Sequence, residues 1–121
     1  MAVTDGIVDF ISYTDLWDPA VNDPATRGGL SIAIIGNDGV RYYGAHLSAI
    51  ELGIAVGLRV SMGQPLGYVG TSGNALGLSP HLHFGISHPT TPDDWFVKRG
   101  EVDPYLFLID WKNSIMSIPL R

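Results

Sequence analysis

The apolar residues of this chain come in short runs, and the clearest of them has a period of two. Leu30, Ile32 and Ile34 fall on one side of an extended segment, and Ser31, Ala33 and Ile35 on the other, as in a strand with two distinct faces. Asn37-Asp38-Gly39 follows at once, and Asp-Gly tolerates the positive φ of a tight hairpin turn. Val40 to Leu47 is then the return strand. Strict alternation puts its Val40, Tyr42, Gly44 and His46 on a common face. Gly6 to Tyr13 reads as an earlier strand, and Asp15 to Gly29, with Pro19, Asn22 and Pro24, as a long loop. Beyond the hairpin, Ile50 to Gly57 fits a short helical turn or a loop. Arg59 to Gly70 fits two short strands around Met62-Gly63-Gln64-Pro65. Thr71 to Pro80 is a loop of small residues, His81 to Ser87 a strand, and Thr90 to Gly100 a polar loop. Asp103-Pro104 opens a short helix through about Ile109, with Pro at the first helical position. The pattern predicts an all-β domain over residues 1–110, a twisted antiparallel sheet folded on itself with long groove-forming loops, followed by a tail over 111–121.

Composition narrows the function. Of 121 residues, 45% are hydrophobic and 16% charged, which suits one real core rather than disorder. Net charge is −5, from 7 Lys+Arg against 12 Asp+Glu. The basic residues are scattered along the sequence, which argues against a nucleic-acid or anionic-membrane partner. Without cysteine there is no disulfide, thiolate nucleophile or Cys-type zinc site. No apolar run reaches the length of a membrane span. Met1 to Gly6 lacks the basic and apolar regions of a signal peptide, so the signal of an exported parent is expected upstream or already removed.

The candidate chemistry lies in the histidines. His81 and His83 are two apart in Pro80-His81-Leu82-His83-Phe84, so on a strand both imidazoles project to one side while Leu82, Phe84 and Ile86 enter a core. Two imidazoles beside a Gly-rich loop suit a metal or acid–base site, although the same spacing also fits two exposed histidines with no role. His46 closes the return strand, where a lone His is more often structural. His88 sits before Pro89 with no evident partner and reads as solvated. Thr71 to Pro80, with Ser72 and Asn74, would let a peptide backbone approach closely, or be a simple connection. The Gly57 to Gly70 spacing also occurs in lipoyl and biotinyl carriers. Those need a Lys at a hairpin tip, and the only lysines, Lys98 and Lys112, lie in no such turn. The glycines there serve turn geometry.

In order and spacing these pieces resemble the LytM/lysostaphin-type zinc metallopeptidases. The matching stretches are Asp5-Gly6-Ile7-Val8, Gly28 to Ile34, Asp38 to Leu47, Gly57 to Asn74, and Pro80-His81-Leu82-His83-Phe84, with a weaker echo at Val102-Asp103-Pro104. The resemblance implies a duplicated-hybrid-motif or barrel-sandwich fold and a peptidoglycan peptide substrate cut outside the cell or in its envelope. It implies His83 as a zinc ligand and His46 and His81 as catalytic histidines beside it, with Asn74, Ser72 and Tyr43 along the substrate. The family takes its other two zinc ligands from a His-x-x-x-Asp motif before the Asp5-Gly6 strand, and no His precedes His46. The chain is therefore expected to be a truncated part of an active enzyme, inactive or nearly so alone. The alternative is a non-catalytic LytM-like cell-wall-binding or regulatory domain. Retention of His46, His81 and His83 favours the former, and those three rings are expected to converge on one groove.

Overall fold

The structure, a computed structural model, describes the backbone of residues 1–117 and the side chains of residues 1–112. Six strands form one curled antiparallel sheet: β1 (Gly6–Ser12), β2 (Leu30–Gly36), β3 (Arg41–Ile50), β4 (Arg59–Val60), β5 (Gly67–Val69) and β6 (His83–Ser87). The order is β4-β1-β2-β3-β5, with β6 also on β3. Strand β3 serves two neighbours because it is long. Its first half, Arg41 to Ala45, pairs with β6, and its second half, Leu47 to Ile50, pairs with β5. The hairpin falls at Asn37-Asp38-Gly39, where Gly39 has φ 76° and Asp38 Oδ1 accepts from the Val40 amide at 3.0 Å. Glu51 to Gly57 is a loop.

The main core lies on one face of the sheet. Val8, Ile32, Ile34, Tyr42, Leu47, Val60, Leu66 and Ile86 are buried together, with Phe84 packed on them. Full burial of a side chain such as Ile86 contributes about 1.5–3 kcal/mol. Ala33, Tyr43 and Ala45 make a small second cluster on the opposite face, with Phe10 against it. Two helices follow the sheet, α1 (Trp95–Lys98) and α2 (Tyr105–Ser117).

Three sequence expectations change. Thr90 to Gly100 is not only loop: Asp94 caps α1 by accepting from the Val97 amide at 3.2 Å. Helix α2 runs to Ser117, past the expected end near Ile109. Trp111 anchors it, its ring 5.9 Å from that of Tyr42 and 6.1 Å from that of Phe84. Residues 118–121, the end of the expected tail, lie outside the described residues. Strand β6 begins at His83, and His81 makes only an isolated bridge to Gly70.

A buried ion pair ties β1 to β3. Asp9 sits where the β1–β2 register shifts between Val8 and Phe10. It meets Arg41, fully buried, at 3.0 Å. The Thr90 hydroxyl accepts a further hydrogen bond from Arg41 at 2.9 Å. Burial raises the Asp9 pKa, and the Arg41 guanidinium partly opposes that rise.

Candidate active site

The site forms where β3, β6 and the loop after β5 meet. Tyr43 and Ala45 leave β3 on the face opposite the main core. Ala45 pairs with His83 across the β3–β6 ladder, which turns His83 to that same face. Strict alternation would send His46 to the other side with Tyr42 and Gly44, and the structure overturns this expectation. His46 has φ 63°, in the left-handed region. That single conformation turns its ring to the side of Tyr43 and His83 and lets Leu47 drop into the main core. A left-handed non-glycine residue costs on the order of 1–3 kcal/mol and persists only where its surroundings hold it. Here the His46 amide donates to the Gly28 carbonyl at 2.8 Å, and His46 Nδ1 lies 2.9 Å from the Ser72 carbonyl.

Two glycines make that grip possible. Gly29 and Gly73 have φ 62° and 66°, and a Cβ on Gly73 would stand 2.1 Å from the Arg27 carbonyl oxygen. Only glycine lets the loop after β5 dock so closely on the segment entering β2. The Ser72 hydroxyl completes the clamp, donating to the Leu47 carbonyl at 2.6 Å and accepting from the Leu30 amide at 3.0 Å.

The three rings gather beside one another. The His46 centroid is 5.1 Å from that of His81 and 6.1 Å from that of His83, and Tyr43 meets the His83 ring edge-on at 6.1 Å. Each imidazole is pinned by a backbone carbonyl: His46 Nδ1 by Ser72, His81 Nδ1 by Ser79 at 2.9 Å, and His83 Nε2 by Arg99 at 2.6 Å. A carbonyl oxygen only accepts, so these nitrogens carry the proton. In the neutral rings, Nε2 of His46, Nε2 of His81 and Nδ1 of His83 are left as lone pairs. Burial lowers the His46 pKa, opposed by the Ser72 carbonyl, while His81 and His83 add to the lowering. The ring is therefore favoured neutral, as a base requires.

A cleft of about 250 Å³ opens beside His46 and His83, lined also by Tyr43 and Asn74. Of the residues named from the sequence, Tyr43, His46, Asn74 and His83 reach this cleft. His81 is exposed next to His46, and the Ser72 hydroxyl is committed to backbone. His88 does have a partner, Glu101, which takes both its amide and its Nδ1. Sequence reading missed Arg27, Lys98 and Arg99, which line the same cleft. The available signal was Asp94 followed by Trp95-Phe96-Val97-Lys98, a helix start inside an apparent loop.

Residues 1–104 match peptidase family M23. The chain belongs to that family. Within it, the chain is 34% identical over 91 residues to the L-Ala--D-Glu endopeptidase of Bacillus subtilis (strain 168), covering 71% of this chain and 26% of that protein. It thus spans about a quarter of that relative's length. The fold matches the catalytic domain of the antimicrobial peptidase lysostaphin from Staphylococcus simulans with a TM-score of 0.65 and 28% identity, over 89% of this chain and 68% of that one. A putative glycyl-glycine endopeptidase lytM from Ruminococcus gnavus matches with a TM-score of 0.55 and 26% identity, over 82% and 40% of the two chains.

The donor set bears on metal binding by this M23 chain. His83, its Nε2–H held by a carbonyl and its Nδ1 open, has the outer support typical of a ligand imidazole. A catalytic zinc takes three protein ligands and a water. Among the described residues no three His, Cys, Asp or Glu side chains are arranged to hold a metal ion, so these residues by themselves do not fit a complete zinc site.

Proposed function

We propose that this chain is the histidine-bearing part of a zinc-dependent endopeptidase acting on peptides of bacterial peptidoglycan, outside the cell or in its envelope. The observation that carries the reading is the trio His46, His81 and His83, each pinned through one nitrogen by a backbone carbonyl and open at the other, in an M23 chain. His83 would be a ligand of that zinc, and the resemblance implies the remaining two from a His-x-x-x-Asp motif, which the sequence does not contain. His46 and His81 offer Nε2 to the proton of the attacking water and, once protonated, donate to the oxyanion that develops on the scissile carbonyl. Tyr43 and Asn74 contact the peptide along the cleft.

The test uses a longer parent protein carrying the upstream motif. His83→Ala is expected to lose both bound zinc and peptidoglycan cleavage, and His81→Ala to keep its zinc while losing turnover. Equal loss of zinc in both would end the assignment of His81 to catalysis. The 121-residue chain alone is expected to cleave little or nothing; robust zinc-dependent cleavage by it would overturn that part of the reading. A second reading, a non-catalytic LytM-like cell-wall-binding or regulatory domain, draws support from the incomplete donor set. It predicts retention on peptidoglycan sacculi with no release of peptide fragments, even by the parent with zinc.

A further inference from the structure

We propose that the cleft beside His46 and His83 selects a peptide bearing a carboxylate, held by Arg27, Lys98 and Arg99. This rests on the reading of the cleft as a peptide site and names the chemistry of what enters it.

The charge distribution is the first argument. The chain has 12 Asp+Glu and only 7 Lys+Arg, yet Arg27, Lys98 and Arg99 line one cleft that no Asp or Glu lines. A concave site with one sign of charge focuses its field on the opposite sign. The second argument is that none of these cations makes an ion-pair contact with an Asp or Glu side chain among the described residues. The salt bridges among the described residues are Arg41 with Asp9 and His88 with Glu101. The fold neutralises Arg41, a cation with a structural task, and leaves the three at the cleft without an ion pair.

Their surroundings orient them without neutralising them. Lys98 is 4% exposed. Its ammonium donates to the Pro92 carbonyl at 2.8 Å and lies 3.0 Å from the centre of the Phe10 ring. Asp9, and after it Asp93 and Asp94 at the start of α1, act on it only through space. The Arg99 guanidinium lies 4.7 Å from the Phe96 ring centre and 5.8 Å from that of Trp95. Arg27 donates to Asn22 Oδ1 at 3.2 Å. Stacked guanidinium planes keep their N–H fork for a carboxylate, which they bind in two parallel hydrogen bonds. Arg99 also holds His83 through its carbonyl, so anion binding and the histidine trio share one residue.

The experiment measures binding to the full chain of two N-acetylated, C-amidated peptides, Ala-Glu-Ala-Ala and Ala-Gln-Ala-Ala, with the variable residue in L and D forms. The side-chain carboxylate is then the only peptide charge. The Glu peptide is expected to bind about tenfold or more tightly, as a charge-assisted hydrogen bond gives, and to lose that advantage as salt rises. Arg99→Gln, at an exposed position, should abolish most of the preference, and Lys98→Met should reduce it. Arg59→Gln, on the distant strand β4, should leave it intact. Equal affinity for the two peptides, or a preference that survives both Arg99→Gln and Lys98→Met, overturns the proposal while leaving a peptide site. Failure of either peptide to perturb the cleft residues overturns the proposal and the peptide-site reading together.

Discussion

The two faces of β2 and β3 are drawn from the same strands and are held by different forces. Ile32, Ile34, Tyr42 and Leu47 join a wide apolar core. Ser31, Tyr43, His46 and Ala45 line a cleft over a core of three small or aromatic residues. Apolar burial is non-directional, so the first face asks mainly for volume and hydrophobicity. The cleft face depends on individual hydrogen bonds, each fixing one ring or one cation. Stability should concentrate on one face and chemistry on the other.

The largest separation is expected from the histidines. In a cleavage-competent parent, His46→Ala or His81→Ala should lower turnover about 10²–10⁴-fold while the denaturation midpoint moves little. A matching loss of stability would break the contrast. The opposite outcome is expected from Ile34→Ala on the apolar face, where a cavity should cost about 2–5 kcal/mol. Urea denaturation reads that loss, and peptide binding measured well below the midpoint should persist.

Lys98 sharpens the contrast through pH. Burial, with Arg41 adding to it, pushes its pKa down to about 8, whereas an unfolded lysine titrates near 10.4. Between those values the unfolded chain holds more protons than the folded one, so this group makes stability rise with pH from about 8 to about 10.5. Relative to Lys98→Met, the wild type should therefore gain stability across that window. A stability difference that stays flat from pH 7 to 10 would show that Lys98 is not strained by burial.

The smallest effect tests the turn of His46 itself. With φ 63° at this position, His46→Gly should be more stable than His46→Ala by about 1 kcal/mol. Equal stabilities would mean that the chain relaxes to ordinary strand geometry once the imidazole is gone.

Much of the fold was legible because strand alternation and tight-turn chemistry are local. The faces of Leu30 to Ile35 and the Asn37-Asp38-Gly39 turn follow from neighbouring residues alone. The helical segments were less legible. Helix α1 is four residues long and lies among polar residues, and α2 outruns its expected end because Trp111 finds Tyr42 and Phe84, which no local pattern contains.

The sequence by itself determined an antiparallel sheet with one apolar face and membership in a family recognisable from ordered motifs. Only the tertiary structure decided which way His46 points. Its left-handed turn is held by the carbonyls of Gly28 and Ser72, brought together by the close docking of Gly29 and Gly73. The same is true of the cleft's charge. Arg27 is far in sequence from the adjacent Lys98 and Arg99, and they line one cleft because the segment entering β2 and helix α1 pack against each other. Such a field is a sum over space rather than along the chain.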